Sequence, residues 1–165
     1  MASELLKRSE VKEENTWNVK DMYATQEDWE QELKDISEII DRVAAFEGKA
    51  AENAQNLFTV LENLAKAGEK LDKAYNYAER LFDEDQTNTT HQAMSAKAYS
   101  AYASCGSKTA FVDPEIIAIP ENVLETFYKE VPGLELYRKQ IAEIRRMKEH
   151  CLSSEMEKLL AMTAE

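Results

Sequence analysis

The sequence predicts an all-α fold of antiparallel helices in a bundle-like domain, and three observations lead to this class. Only 4 of the 165 residues are Gly and 3 are Pro, whereas these two residues make up roughly 12% of an average protein. Apolar residues recur at spacings of three and four along most of the chain, which is the period of an amphipathic helix. Hydrophobic residues make up 44% of the chain. We expect a flexible leader at residues 1–15 and one helical domain at residues 16–165.

The start of the domain is expected to contain an extended segment and then a first helix. Thr16–Tyr23 is too short for a stable helix of its own, so it predicts an extended segment that packs on other elements and buries Trp17. Thr25 and Asp28 have the spacing of a capping box. The apolar residues that follow predict a helix of about 20 residues that ends near Gly48.

The next two helices are predicted to be separated by a glycine. The second runs from about Asn53 to Ala67, and Gly68 is a plausible stop. The third covers about Glu69–Phe82. Because acidic residues are unfavourable at the negative end of a helix dipole, Asp83–Asp85 are expected in the following loop.

A fourth helix, about Asn88–Lys108, places Met94, Ala98, Tyr102 and Cys105 on its inner face. Next comes the concentrated apolar run Phe111–Pro120. Both of its prolines disfavour helix in the residue before them. The run is either a docking surface for another domain or part of the core of this one, and the residues alone favour neither alternative.

The last third of the chain predicts three more helices. A short one runs from Pro120 to about Tyr128, with Pro at its favoured first position. Pro132-Gly133 is a turn, and a sixth helix covers about Leu134–Cys151. A last helix begins near Ser154 and is still apolar when the chain ends, which predicts that these residues are the first part of a longer protein.

Charge and composition exclude several classes of function. The formal net charge is −12, which argues against nucleic-acid binding because phosphate neutralisation needs a clustered basic surface. No apolar stretch approaches the roughly 20 residues of a membrane-spanning helix, and the N-terminus lacks the apolar region of a secretory signal. Cys105 and Cys151 have no CxxC spacing, so we expect free thiols in a cytoplasmic protein rather than a disulfide.

The sequence contains no recognisable catalytic or metal-binding set, and we predict neither kind of residue. Its two histidines, His91 and His150, are not followed by Glu-x-x-His and are not preceded by Glu at the third position. Zinc binding by His150 with Cys151 is disfavoured because adjacent residues diverge by about 100° on a helix. Nothing in the sequence places a histidine beside Cys105 or Cys151 to activate a nucleophile.

A basic cluster lies on the predicted sixth helix. It could bind peptide carboxylates or an acidic partner, but a solvated helix face is the more common meaning of such a pattern. Glu135 and Lys139 have the spacing of a supporting ion pair. The cluster consists of Arg138, Lys139, Arg145, Arg146 and Lys148.

Four motifs in order resemble one family. Thr16–Tyr23 is similar to the opening "TW-x-L-x-D-[LIM]-Y" of oligoendopeptidase F, and Phe111–Pro120 is similar to that family's "F-x-x-PEI-x-x-IP". Leu134–Ser153 resembles its "LxxY…IxRxKxHxLS" run, and Glu157–Ala161 resembles the "E-x-LLA" that follows. Together the motifs span residues 16–161.

The resemblance implies that this chain is the helical N-terminal part of a zinc metallopeptidase that cleaves oligopeptides. In that family a later region supplies the His-Glu-x-x-His motif and a further Glu, so no catalytic or zinc-binding role passes to any residue here. The expected partners are the protein's own C-terminal catalytic domain and an oligopeptide, with this domain forming one wall of the substrate cleft. A free-standing helical interaction module without catalysis is the alternative.

Overall fold

The computed structural model describes residues 10–150, and within this range it contains six α-helices and no strand. The predicted all-α class is therefore confirmed. Residues 1–9 of the predicted leader and the predicted last helix from Ser154 lie outside the described residues. The helices are α1 (Gln26–Ala44), α2 (Ala54–Glu84), α3 (Thr89–Thr109), α4 (Val112–Ala118), α5 (Glu121–Glu130) and α6 (Arg138–Arg146). Short 3-10 helices lie at Glu13–Asn15, Val19–Asp21, Pro132–Tyr137 and Met147–His150.

The chain divides into two compact units. Among the described residues, the first unit contains residues 10–45 together with Glu62–Thr109, and the second contains Phe46–Leu61 together with residues 110–150. Helix α2 contributes to both, because residues 54–61 belong to the second unit and residues 62–84 to the first. Among residues 10–150 no helix is both long and apolar enough to cross a membrane.

Helix α1 begins as the sequence predicts. The backbone N–H of Asp28 donates to the Thr25 hydroxyl oxygen at 3.1 Å, and the N–H of Thr25 donates to the Asp28 carboxylate at 3.2 Å, which completes the capping box. One face of the helix is buried in the first unit. Its residues are Trp29, Leu33, Ile36, Ile39, Ile40 and Val43.

The centre of the first unit is aromatic. Trp29 is completely buried, and its indole N–H donates to the carbonyl of Ala74 in α2 at 2.9 Å. Tyr77 lies beside it with 6.4 Å between the ring centroids, and Tyr23 meets Tyr77 edge-on at 5.1 Å. These contacts attach α1 and the segment before it to α2.

The predicted break at Gly68 is wrong, because α2 continues through it to Glu84. An interior glycine costs a helix about 1 kcal/mol, and this cost is overridden by packing. Ala67 and Leu71, on either side of Gly68, are both buried in the same core. Of the predicted loop Asp83–Asp85, only Asp85 lies outside the helix, since α2 includes Asp83 and Glu84. Asp83 pairs with Arg80 at 3.4 Å.

Two aromatic side chains are more exposed than the sequence predicts. Trp17 is 73% exposed instead of buried, because the Thr16–Tyr23 segment is not extended but forms the 3-10 helix Val19–Asp21. This turn directs Tyr23 into the core, while Trp17 stays outside it. In α3 the inward prediction holds for Met94 and Ala98, but Tyr102 is 51% exposed.

The apolar run Phe111–Pro120 forms helix α4 and the corner that follows it. The expectation that Pro114 disfavours helix at Asp113 is wrong, because a proline in the first turn loses no required hydrogen bond. Val112, Ile116 and Ile119 are buried within the second unit. Of the two alternatives for this run, burial in the core is therefore confirmed.

The helix boundaries after this corner differ from the predictions. Pro120 precedes α5 as its N-cap, so the helix begins at Glu121, one residue later than expected. Residues 134–137 belong to the 3-10 helix Pro132–Tyr137, and α6 is the shorter helix Arg138–Arg146. The Phe58 ring lies so close to Gly133 that a Cβ there would be 2.6 Å from it. A side chain at this position would therefore collide with the ring.

Candidate functional site

The basic cluster is divided by the fold into paired and unpaired side chains. Arg138 donates from Nε and Nη2 to both oxygens of Glu135, at 2.7 and 2.8 Å, and from Nη1 to Glu125 at 2.8 Å. Its guanidinium carbon lies 3.8 Å from the centroid of the Tyr128 ring. Planar stacking and a two-point carboxylate pair fix the orientation of this guanidinium.

The contacts of Arg138 also shift the pKa values of the groups around it. The hydrogen bonds from Arg138 hold the pKa of Glu135 below its usual value, and the two carboxylates raise the pKa of Arg138. Burial raises the pKa of Tyr128, although Arg138 opposes that shift. Over the physiological range Arg138 is therefore a fixed cation and Tyr128 a neutral ring.

Arg145 connects three elements of the second unit. Its Nη1 donates to the carbonyl oxygens of Ile116, at 3.4 Å, and Ile119, and its Nη2 donates to Glu121 at 2.8 Å. These carbonyls belong to the last turn of α4 and the residue after it, and the Ile116 carbonyl also accepts from the backbone N–H of Ile119 at 3.3 Å. Only 20% of the Arg145 side chain is exposed, so the solvated-face prediction is wrong for this residue.

The other cations of the cluster are more open. Lys139 is 87% exposed, and it pairs at 3.8 Å with Glu143 rather than with the predicted Glu135. Arg146 and Lys148 are also exposed. The periodicity of the basic residues was visible in the sequence, but two of their acidic partners, Glu121 and Glu125, lie on α5 and could not be identified from spacing.

A cavity of about 330 Å³ lies between α5 and α6 at this cluster. Three guanidinium groups line it, together with a single carboxylate and a floor of buried Leu124, Tyr128 and Ile141. The charged lining residues are Arg138, Arg145, Arg146 and Glu121. Glu125 and Glu135 pair with Arg138 beside the cavity, so the three guanidinium charges are balanced by three carboxylates.

A second cavity, of about 550 Å³, lies between α2 and α3 in the first unit. Tyr75, Phe82 and Tyr99 contribute rings to its lining, and the hydroxyl of Ser95 donates to Glu79 at 2.5 Å. Tyr99 is 67% exposed. The amide side chains of Gln86 and Gln92 complete the lining of this open groove.

The sequence-predicted histidines and cysteines are not brought together by the described part of the fold. His91 lies at the start of α3, where its Nδ1 has no partner among residues 10–150. Cys105 is a free thiol whose pKa is raised by burial. The side chain of His150 and the whole of Cys151 lie outside the described residues.

The family resemblance implies zinc, and the side chains that the structure describes, those of residues 10–148, do not fit a zinc site. They contain no group of three His, Cys, Asp or Glu placed to hold a metal ion. A protein zinc site needs at least three such ligands. No metal-dependent step can therefore be built from these residues.

Comparison with known proteins gives a consistent result. A family model described as oligopeptidase F matches residues 115–165. Oligopeptidase PepF of Bacillus subtilis is 37% identical over 99% of this chain and 24% of its own length. Among solved structures, oligoendopeptidase F from Enterococcus faecium superposes with a TM-score of 0.72 at 27% identity, covering 83% of this chain and 27% of its own. A candidate peptidase from Chlamydophila abortus shares the fold, with a TM-score of 0.80 at 24% identity over 98% of this chain and 27% of its own.

The chain spans about a quarter of the length of the curated relatives it matches. The matches support an N-terminal helical domain similar to that of oligoendopeptidase F, and they confirm the resemblance that the sequence motifs predicted. The structural role of Glu115 was not visible from the sequence, although it stands within one of those motifs. Its carboxylate binds the backbone of a loop far away in the chain.

Proposed function

We propose that this chain is the N-terminal accessory domain of a zinc-dependent endopeptidase that hydrolyses oligopeptides. The observation that carries the proposal is the collinear match to oligopeptidase PepF over 99% of this chain but only 24% of that protein. Zinc binding and hydrolysis are assigned to the remainder of the parent protein, as the family resemblance implies.

The role proposed for the domain is to form one wall of the substrate cleft. Helix α2 has 31 residues and is therefore about 46 Å long at 1.5 Å per residue. Beside it, the outer face of α3 presents the exposed rings of Tyr99 and Tyr102 among small side chains. Such a face can contact the backbone and side chains of an unfolded peptide without requiring a particular sequence.

The assignment of zinc binding and hydrolysis to the remainder of the parent protein is tested by comparing the 165-residue chain with the product of the extended reading frame. The extended product is expected to contain a His-Glu-x-x-His motif, to bind zinc and to cleave a quenched fluorescent oligopeptide. The isolated chain is expected to do neither, measured by metal analysis and the same assay. Zinc-dependent turnover by the isolated chain would refute the proposal, and a reading frame that stops after Glu165 would favour the interaction module.

The cleft-wall role is tested with Tyr99→Ala in the extended product. If α3 contacts the peptide, the substitution raises KM for long peptides by about threefold to tenfold and leaves kcat unchanged. Leu136→Ala is the matched control, because Leu136 is an exposed apolar side chain of the second unit, 84% exposed. An unchanged KM for the Tyr99 variant would show that Tyr99 of α3 does not contact the substrate.

A further inference from the structure

The cavity between α2 and α3 places one carboxylate among aromatic side chains. Tyr75, Glu79 and Phe82 line it at spacings of four and three along α2, so they lie on one face of that helix. Glu79 is about 6 Å along the helix axis from Tyr75 and about 4.5 Å from Phe82, at 1.5 Å per residue. Tyr99 lines the same cavity from α3. The one charged side chain of the lining is therefore flanked by rings.

The rings of this cavity are open to a ligand. Tyr99 is 67% exposed, and Tyr75 and Phe82 are each partly exposed. Tyr75 is also held in place, because the centroid of its ring lies 5.9 Å from that of Tyr102. The volume of about 550 Å³ is within the roughly 300–1,000 Å³ found for ligand pockets. A planar group can therefore reach ring surface that is already exposed.

The cations next to the cavity are paired with carboxylates other than Glu79. Arg80, the next residue of α2, pairs with Asp83 at 3.4 Å. Lys97 of α3 pairs with Glu30 of α1, also at 3.4 Å. The formal net charge of the chain is −12, so the long-range field adds to the local negative charge. The cavity therefore favours a cation.

The polar groups of the lining present acceptors to such a cation. The Ser95 hydroxyl donates to Oε1 of Glu79 at 2.5 Å, and this bond orients a carboxylate that has about four acceptor sites. The side-chain N–H of Gln92 donates to the backbone carbonyl of Gln86 at 2.7 Å. Because a carbonyl only accepts, this bond leaves the amide oxygen of Gln92 as a further acceptor. A guanidinium suits these groups, since its planar fork matches a carboxylate and its face stacks on a ring.

We propose that this cavity binds the guanidinium of an arginine side chain in an extended peptide. The guanidinium donates to the Glu79 carboxylate and stacks on the Tyr99 ring, and the methylene groups of the arginine contact Tyr75 and Phe82. The inference rests on the proposed cleft-wall role for the source of the peptide, whereas the binding itself is measured on the isolated chain without hydrolysis.

The ligand chemistry is tested by titrating the 165-residue chain with acetyl-alanyl-arginyl-alaninamide and following backbone amide shifts by NMR. The expected Kd is on the order of 1 mM, with shifts concentrated at residues 75–86 and 92–99. The matched peptide with citrulline has a neutral urea group of nearly the same shape, and it should bind about tenfold more weakly. The peptide with lysine keeps the charge without the planar fork, and it should bind about threefold more weakly.

Variants of the chain test the location of the site. Glu79→Gln removes the charge but keeps an oxygen that can accept from Ser95, and it should weaken binding of the arginine peptide about tenfold. Glu69→Gln is the matched control at an exposed position of the same helix. It is about 15 Å from Glu79 along the axis and should change Kd by less than about twofold. Tyr99→Phe should bind like the unsubstituted chain, whereas Tyr99→Leu, without a ring, should bind about threefold more weakly.

Several outcomes would overturn the proposal. Equal binding of the arginine and citrulline peptides would exclude recognition of the charge, and equal binding of the lysine peptide would exclude recognition of the guanidinium. An equal loss from Glu79→Gln and Glu69→Gln would exclude this location.

The same measurements separate the site from the cleft-wall role. If the isolated chain binds the arginine peptide at this cavity while Tyr99→Ala leaves KM of the extended product unchanged, the site is supported and only the substrate contact of Tyr99 is refuted. If the isolated chain does not bind the peptide, the site is overturned, and the cleft-wall role still depends on the KM measurement.

Discussion

The carboxylate of Glu115 accepts a hydrogen bond from the backbone N–H of Gly48, with 2.6 Å between Oε1 and N across 67 positions of sequence. Its other oxygen accepts from the N–H of Ala50 at 2.9 Å. Gly48 has φ of +76°, a conformation that a glycine adopts without strain. One side chain of α4 thus satisfies two backbone donors in the loop between α1 and α2.

Replacing Glu115 with Ala is therefore expected to destabilise the protein. The substitution leaves two backbone donors without their charged acceptor, and one of these contacts is partly buried. A loss of about 1.5–3 kcal/mol in the free energy of unfolding follows, measurable by urea denaturation. Glu52→Ala, at an exposed position of the same loop, should stay within about 0.5 kcal/mol. Similar effects of the two substitutions would show that the Glu115 contacts contribute nothing.

The two tryptophans of the chain should behave oppositely. Trp29→Ala removes a completely buried ring and its hydrogen bond to Ala74, which costs about 3–5 kcal/mol. Trp17→Ala, for which the sequence predicted a loss of a few kcal/mol, should change stability by less than about 0.5 kcal/mol because Trp17 is 73% exposed.

Tryptophan fluorescence provides an independent check on these two environments. In the Trp17 variant the remaining emission should be blue-shifted, as expected for a ring without contact with water. In a Trp29→Phe variant the remaining emission should be red-shifted and readily quenched by iodide. A red-shifted emission from the Trp17 variant, or a blue-shifted emission from the Trp29 variant, would contradict the burial of Trp29.

The helical class and the first helix could be predicted because their causes are local. The capping box between Thr25 and Asp28 involves neighbours in sequence, and the buried face of α1 follows the helical period. The break at Gly68 could not be predicted correctly, since a local cost of about 1 kcal/mol is overridden by packing that involves distant residues. Trp17 was misplaced because a short 3-10 turn changes which side chains face the core.

The site was less predictable for a related reason. The sequence shows that Arg138 and Arg145 are basic and share a face, but their partners Glu125 and Glu121 lie 13 and 24 positions away. No spacing rule connects residues across such separations. The cavity depends on how α5 and α6 meet, so its lining could be identified only from the fold.

Two glycines should respond to alanine in opposite directions. At Gly133 a Cβ would be 2.6 Å from Cε2 of the Phe58 ring, which also packs edge-on against Tyr137 at 6.2 Å. Gly133→Ala should therefore destabilise by about 1–3 kcal/mol. At Gly68 a Cβ meets nothing within 4 Å, so Gly68→Ala in the middle of α2 should stabilise by about 0.5–1 kcal/mol.

Thermal melting of both variants measures this contrast, and a double variant identifies its cause. Adding Phe58→Leu to Gly133→Ala should recover part of the lost stability, because the smaller side chain makes room for the new methyl group. If Phe58→Leu instead lowers the stability of the Gly133→Ala variant by as much as it lowers that of the unsubstituted protein, the collision with the ring is not what destabilises Gly133→Ala.

Tyr23 should make the stability of the protein depend on alkaline pH. Burial is the main cause that raises its pKa to about 12, with a smaller contribution from the charge of Glu32. Because an exposed tyrosine in the unfolded chain ionises near pH 10, the unfolded state releases this proton first. The free energy of unfolding should then fall as the pH rises from about 10 to about 12.

The hydroxyl of Tyr23 also has no hydrogen-bond partner among residues 10–150. Tyr23→Phe removes a buried polar group without such a partner, so it should be neutral or stabilise by about 1 kcal/mol at pH 7. It should also flatten the decline in stability above pH 10. Tyr99→Phe is the control, since Tyr99 is 67% exposed and its hydroxyl is open to water in both states. Denaturation curves from pH 8 to 12 test both effects, and an unchanged alkaline slope in the Tyr23 variant would assign the titration to another group.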